Sequence, residues 1–329
     1  MSISPRLTIR AYADGILRAD LLVLARAITL VESTLEADHL LAEDLLNLLQ
    51  ASQKQSLVVG ITGPPGVGKS TLIEALGMHL VGKGKRIAVL AIDPSSVATG
   101  GSILGDKTRM DMLARHPLAF IRPAASRGHL GGAAMGNREA IALCEAAGFD
   151  IILLETVGVG QSEIEVRSMV DIVLLAQNPA TGDDLQGIKK GIMEIADIIS
   201  INKADGELMG AAQHTAEHLR QALHYAALPA SGWAVPVCLC SGATGFAIPD
   251  LANTIYSCAQ VLGAAGVLEV RRSQSRLVWF REEMGSLFFS RIASQPRWAN
   301  TWQQAQDSVA ASKVWPRSQA RAFIAELLG

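Results

Sequence analysis

The sequence predicts an α/β fold, a mostly parallel sheet with helices on both faces, from three observations. Short apolar runs at 57–61, 87–92, 151–154, 172–176, 198–201 and 235–239 alternate with amphipathic segments, as strand-helix-strand crossovers require. The first run leads directly into Gly63-Pro64-Pro65-Gly66-Val67-Gly68-Lys69-Ser70, which fits the G-x-x-x-x-G-K-[ST] pattern of a phosphate-binding strand-loop-helix unit. A length of 329 residues, 49% of them apolar, is ample for one large core with helical additions.

Taken in order, residues 1–56 carry leucines at helical spacing (Leu17, Leu21, Leu24, Ile28, then Leu40, Leu41, Leu45, Leu48, Leu49) and read as a helical extension packed on the next domain. Residues 57–262 hold the alternating strands and helices of a nucleotide-binding domain. Gly263-Ala264-Ala265-Gly266 marks a boundary, after which 263–329 is helical again. There Leu277, Phe280, Met284, Leu287, Phe288 and Ile292 recur at helical spacing, and Trp298, Trp302 and Trp315 are three of the chain's five tryptophans. Such a stripe serves either a core within the chain or a dimer surface.

Composition narrows the partners. A net charge of −2, from 29 basic and 31 acidic residues, supplies no overall basic field for nucleic acid or an anionic membrane. The four cysteines, Cys144, Cys238, Cys240 and Cys258, lack C-x-x-C spacing and read as buried free thiols. The first ten residues lack a signal-like apolar stretch, and no run approaches a membrane span, so a cytoplasmic protein is expected.

The chemistry starts at the glycine-rich loop. Its fixed glycines let successive backbone N–H groups face a phosphate, where the N-terminus of the next helix adds partial positive charge. Gly63, Pro64, Pro65, Gly66, Val67, Gly68, Lys69, Ser70 and Thr71 are therefore expected to line the nucleotide, with Lys69 on the β/γ-phosphates and Ser70 on Mg²⁺. Asn202-Lys203-Ala204-Asp205 follows the 198–201 run and matches N-K-x-D. An ionised Asp205 accepts both the N1–H and the exocyclic amino group of guanine, a donor pair adenine lacks. Asn202 would support the loop, and the Lys203 stem would cover the purine face. Ser241, Gly242 and Ala243, after the last strand, are expected to back the base, although Gly242 interrupts the usual Ser-Ala pair.

Glu155-Thr156-Val157-Gly158 closes the 151–154 strand and places a carboxylate beside the phosphate loop, as a Walker B acid requires. Gly158 would bring a backbone N–H to the γ-phosphate, which makes Lys69, Glu155 and Gly158 the candidate catalytic groups. Asp93, at the end of the 87–92 strand, and Asp106 are further carboxylates for the metal. The residue after Gly158 is Val159, with Gln161 two further on, where small signalling GTPases place a water-orienting glutamine. Slow intrinsic hydrolysis is expected, accelerated by a partner.

Together, the phosphate loop, Ile92-Asp93-Pro94-Ser95-Ser96, the segment from Glu155 to Glu163, the segment from Gln177 to Asp184 and Asn202-Lys203-Ala204-Asp205 resemble the MeaB/ArgK family. These are P-loop GTPases that chaperone methylmalonyl-CoA mutase, and the resemblance covers roughly residues 57–250. It implies GTP and GDP as ligands, and Mg²⁺ held by Ser70, Asp93, Asp106 and Glu155. It also implies a switch around Asp183, Asp184, Gln186, Lys189 and Lys190, a C-terminal arm that forms a homodimer, and a partner mutase carrying adenosylcobalamin. The residues read alone also fit a solvated helix N-terminus at 182–190. No D-x-H-x-x-G pattern for cobalamin occurs in the chain itself.

Three features are set lower. His214-Thr215-Ala216-Glu217-His218 fits H-x-x-E-H but falls in the crossover helix after the base motif, where a solvated face is expected. Ser126-Arg127-Gly128 opens a glycine-rich loop without a G-K-[ST] ending, so a loop that moves with the switches is expected, with Arg127 a candidate for an in-cis arginine. Arg271-Arg272 reads as solvated surface. The competing functions are a P-loop kinase or transport-linked ATPase, which Asp205 argues against, and a nickel metallochaperone, which would favour His/Cys-rich tracts absent here.

Overall fold

The computed structural model describes residues 6–33, 35–52, 54–93, 110–125, 132–156, 166–179, 194–224 and 231–328. Seven parallel strands form one sheet in the order β3-β2-β4-β1-β5-β6-β7: β1 Leu57–Thr62, β2 Ile87–Asp93, β3 Ala119–Ala125, β4 Ile151–Thr156, β5 Ile172–Gln177, β6 Ile198–Ile201 and β7 Val237–Leu239. β2, β3 and β4 lie to one side of β1 and β5, β6 and β7 to the other. The order therefore reverses at the end of β1, where ligands of open α/β sheets collect.

Both faces are covered, so the strands read as unbroken apolar runs. Helices α1 (Ile9–Leu17), α2 (Leu21–Val31) and α3 (Glu36–Leu49) share a core with Val58, Ala88, Leu90, Ile152, Leu154 and Val173. The N-terminal extension thus packs on the sheet, with Leu24, Ile28, Leu45 and Leu49 buried. Asp20 caps α2 by accepting from the N–H groups of Leu22 and Val23, and Thr8 caps α1. Side chains one residue along, Val59, Ile61, Val89, Leu153 and Leu174, point to the opposite face. There they meet α4 (Lys69–Gly82), the short α5 (Asp111–Ala114) and α8 (Ile248–Ala264). Helix α6 (Gly132–Ala146) joins the first face, and α7 (Met209–His224) covers β5 to β7.

One strand escapes a reading of apolar runs. Residues 119–125 contain Arg122 and Pro123, which break such a run, but β3 is the edge of the sheet and pairs only with β2. A proline, which has no N–H to donate, is tolerated there.

The opposite end of the sheet carries a repeated device. β4, β5 and β6 each begin just after an aspartate, in Asp150-Ile151-Ile152, Asp171-Ile172-Val173 and Asp197-Ile198-Ile199. Each aspartate donates its backbone N–H to a neighbouring carbonyl, of Arg86, Val58 and Val173 respectively, at 2.9 Å. Its carboxylate then accepts the N–H of that same residue, again at 2.9 Å. The side chain thereby closes the first rung of the ladder, which would otherwise leave a donor unpaired.

Two of these aspartates also hold Arg271 and Arg272, which corrects the expectation of a solvated basic run. Arg272 forms a fork on Asp171 at 2.7 and 2.5 Å, and Arg271 a fork on Asp197 at 2.8 and 3.1 Å. Burial is the largest single influence and works against the Arg272 charge, but the hydrogen bonds to Asp171 together with the charges of Asp171, Glu145 and Glu269 outweigh it and raise the pKa. Both arginines lie in α9 (Val267–Ser294), which follows a turn at Gly266 with φ 70°.

The chain divides into two compact units, Met1–Ser275 and Arg276–Gly329. The second contains the rest of α9, α10 (Pro296–Ala310) and α11 (Pro316–Leu328) around a small core of Ile292, Trp298, Ala305 and Phe323. On the same unit Leu277, Phe280, Met284, Leu287 and Phe288 are exposed. Of the cysteines, Cys144, Cys240 and Cys258 are buried free thiols and Cys238 is half-buried. Burial pushes the Cys240 and Cys258 thiols up to about 12, far from the thiolate form. No single helix among the described residues is long and apolar enough to cross a membrane.

Candidate nucleotide-binding site

The glycine-rich loop links the tip of β1 to α4, and its backbone explains the glycines. Gly63, Gly66 and Gly68 have φ of 148°, 77° and 86°. A Cβ on Gly63 would stand 2.1 Å from the Ala176 carbonyl oxygen, and one on Gly68 2.9 Å from the Asn202 amide nitrogen. Thr62, just before the loop, accepts a hydrogen bond from Thr156 Oγ1 at 3.0 Å, both side chains fully buried. That pair fastens the tip of β1 to the tip of β4. It was not singled out in the sequence, because a threonine at a strand end carries no distinguishing pattern.

Lys69 and Ser70 open α4 and are both buried. Lys69 donates to the Gly63 and Pro64 carbonyls at 2.8 and 3.1 Å, which folds its ammonium over the loop. Ser70 donates to Glu155 Oε1 at 2.9 Å. The register that sets Ile61 opposite Glu155 brings this carboxylate, buried at the end of β4, to the loop. A hydroxyl and a carboxylate oxygen side by side at a phosphate loop fit a hard cation such as Mg²⁺. Among the described residues there is no cluster of three His, Cys, Asp or Glu, as a dedicated transition-metal cage would need. The His214 and His218 rings lie 4.5 Å apart and tilted by 55° on an exposed face of α7, with no third such ligand among the described residues.

The N-K-x-D loop is tied to the glycine-rich loop. Asn202 donates from its amide to the Val67 and Gly68 carbonyls at 2.8 and 3.3 Å and accepts the Gly242 N–H at 3.0 Å. Lys203, with φ 59°, donates to the Gly66 carbonyl at 2.6 Å. Ala204 N–H reaches the Cys240 carbonyl at 3.0 Å, so the loops after β6 and β7 share a ladder rung beyond the sheet. The Asp205 carboxylate accepts a short hydrogen bond from Ser241 Oγ, which in turn accepts the Thr244 N–H at 3.2 Å. One carboxylate oxygen is fixed by that bond, and the residue is only half-buried.

Gly242 interrupts the Ser-Ala pair for a physical reason. A Cβ there would come within 2.7 Å of the Leu72 nitrogen and 2.8 Å of the Leu72 Cα, backbone that cannot yield. Ala243 is exposed beyond it, as are Pro65 and Thr71, with Pro64 half-buried and Val67 fully buried. Asp93 ends β2, and Ile92 beside it pairs with Thr156. Gly158, Asp106, Arg127 and the segment with Asp183, Asp184, Gln186, Lys189 and Lys190 lie outside the described residues.

Comparison with known proteins agrees with this arrangement. The family model described as methylmalonyl Co-A mutase-associated GTPase MeaB matches residues 24–297. GTPase ArgK of Escherichia coli is 43% identical over 303 residues, 91% of this chain and 90% of that protein. A mouse protein named methylmalonic aciduria type A homolog, mitochondrial, is 43% identical over 275 residues, 80% of this chain and 66% of its own length. A solved structure of a protein named LAO/AO transport system kinase matches over the full length of both chains, with 33% identity and a TM-score of 0.76. The loop that cradles phosphate, the carboxylate beside it and the tethered N-K-x-D segment accordingly belong to a GTPase, and the chain is a member of the MeaB family of methylmalonyl Co-A mutase-associated GTPases.

Proposed function

We propose that this GTPase is a cytoplasmic, homodimeric chaperone whose nucleotide state governs cofactor delivery to, or protection of, an adenosylcobalamin-dependent methylmalonyl-CoA mutase. The observation that carries the nucleotide half is the clasp at Asn202, which joins the loop for phosphate to the loop for base through Val67, Gly68 and Gly242. The family description supports the mutase half.

In this reading the loop N–H groups from Gly63 to Ser70 hold the phosphates, and Thr71 continues the helix N-terminus that faces them. Lys69 leaves the Gly63 and Pro64 carbonyls for the β/γ-phosphates. Asp205, with one oxygen positioned by Ser241, reads the guanine edge, while Lys203, Gly242 and Ala243 line the base. Ser70 and Glu155, with Asp93 and Asp106, would hold Mg²⁺, which when bound would neutralise charge on the transferred phosphoryl group. Gly158 supplies an N–H to the γ-phosphate, and Asp183, Asp184, Gln186, Lys189 and Lys190 form the segment that signals nucleotide state.

A second reading, a kinase or transport-linked ATPase, is favoured by the similar solved structure, whose protein is named a transport system kinase. The positioned carboxylate of Asp205 opposes it, because adenine has no matching donor pair.

Calorimetry against a methylmalonyl-CoA mutase, with GDP and with a non-hydrolysable GTP analogue, tests the chaperone role. The expected result is an affinity that differs between the two nucleotides, with single-turnover hydrolysis that is slow alone and at least about tenfold faster with the mutase. Binding indifferent to nucleotide, or fast hydrolysis by the isolated protein, contradicts it.

A further inference from the structure

The two-arginine clamp lies at the end of the sheet opposite the nucleotide site, and the strands it grips are the ones that lead there. Asp171 and Asp197 immediately precede β5 and β6. β5 runs six residues, Ile172–Gln177, so about 20 Å separates Asp171 from Gln177, whose carbonyl accepts the N–H of Asn202 just past β6. Just past Gln177 lies the segment read as the switch, and just past Ile201 the base loop. At the other end Arg271 also donates to the Asp171 carbonyl at 2.6 Å, and Arg272 to the Ser56 carbonyl, next to β1, at 2.7 Å. Arg167 adds a third cation on Asp197 at 2.6 Å, and the Trp233 indole donates to the Asp197 carbonyl at 2.8 Å. Asp171 and Asp197 are 2% and 5% exposed.

Stability alone does not require this arrangement. Burying two paired charges is roughly neutral against apolar packing, so the distinctive property of such forks is the geometry they impose. Two planar, bidentate contacts on consecutive residues fix both the position and the rotation of the first turns of α9 relative to β5 and β6. The same helix continues past Ser275 into the second compact unit.

We propose that the Arg271–Arg272 clamp makes the root of α9, residues 267–275, move with β5 and β6, so that the nucleotide bound at their far ends is registered at the start of the C-terminal arm. This deepens the switch reading above and rests on it. The device is a mechanical coupling between strand ends, and the arginines act as positioning residues, with no contact to nucleotide.

Amide hydrogen exchange on the full-length protein tests it, with GDP and with a non-hydrolysable GTP analogue, each with Mg²⁺. In the native protein, exchange of peptides covering 267–275 is expected to differ between the two nucleotides by at least about fivefold. In R271Q/R272Q that difference is lost while GDP affinity stays within about twofold of native. A clamp that serves stability alone would raise exchange equally in both nucleotide states and keep the difference, which overturns the proposal. So does a native protein in which 267–275 exchanges identically with either nucleotide, a result independent of how well the variant folds. Failure of the guanine reading itself would appear separately, as an absence of GDP binding in the native protein.

Discussion

At Gly242 there is no room for even a single methyl group. Its N–H is held by Asn202, and its Cα faces the backbone of Thr71 and Leu72 in the first turn of α4. Gly242→Ala is therefore expected to push the base loop away from the helix that carries Lys69 and Ser70. GTP affinity should fall at least about tenfold with the secondary structure retained, read by calorimetry and circular dichroism. Affinity within about twofold of native would show that the two loops are not coupled through this contact. The residues proposed for phosphate and base are legible in the sequence, because backbone curling, a cation and a paired acceptor each demand a particular residue type at fixed spacing. Gly242 read as an interruption of a pattern, since only the fold shows what lies against it. Arg271 and Arg272 were misread for the same reason: their carboxylates lie 74 and 101 residues away in sequence, and local charge says nothing about them.

At the scale of elements, six of the seven strands were visible as apolar runs because both faces of the sheet are covered, which removes polar alternation. The seventh, β3, was hidden by Arg122 and Pro123, residues tolerated there by its edge position. Arg122 is occupied as well, since it pairs with Glu32 and Thr29 of the α2 region at 2.9 Å and so ties the N-terminal helices to the sheet edge. The three aspartate starts of β4, β5 and β6 were present in the sequence as a repeated Asp-Ile-Ile/Val. They carried no signal beforehand, because an aspartate before an apolar run equally marks a turn. In the fold all three close the first rung of their strands, and two of them, Asp171 and Asp197, also hold Arg271 and Arg272 in the first turns of α9.

For the whole molecule, the C-terminal stripe resolves into two parts. Ile292, Trp298 and Phe323 form a core within the second unit, with Trp302 packed against it, whereas Leu277, Phe280, Met284, Leu287 and Phe288 remain exposed along α9. Trp315 is 82% exposed. A stripe of large apolar side chains left on one helix is the surface expected to meet a second copy of the chain. Light scattering after size exclusion should give twice the chain mass for the native protein and the chain mass for Phe280→Asp combined with Leu287→Asp. A native monomer, or a variant that remains dimeric, contradicts the arm as the dimer surface.

Every role assigned to the clasped loops depends on their forming a site selective for guanine through Asp205. Calorimetry with GTP, ATP and XTP on the native protein and on Asp205→Asn tests that selectivity most directly. The native protein should bind GTP at least about a hundredfold more tightly than ATP, and Asp205→Asn should lose GTP and gain XTP, because one acceptor becomes a donor. Unchanged GTP affinity in the variant, or comparable binding of ATP by the native protein, would contradict it.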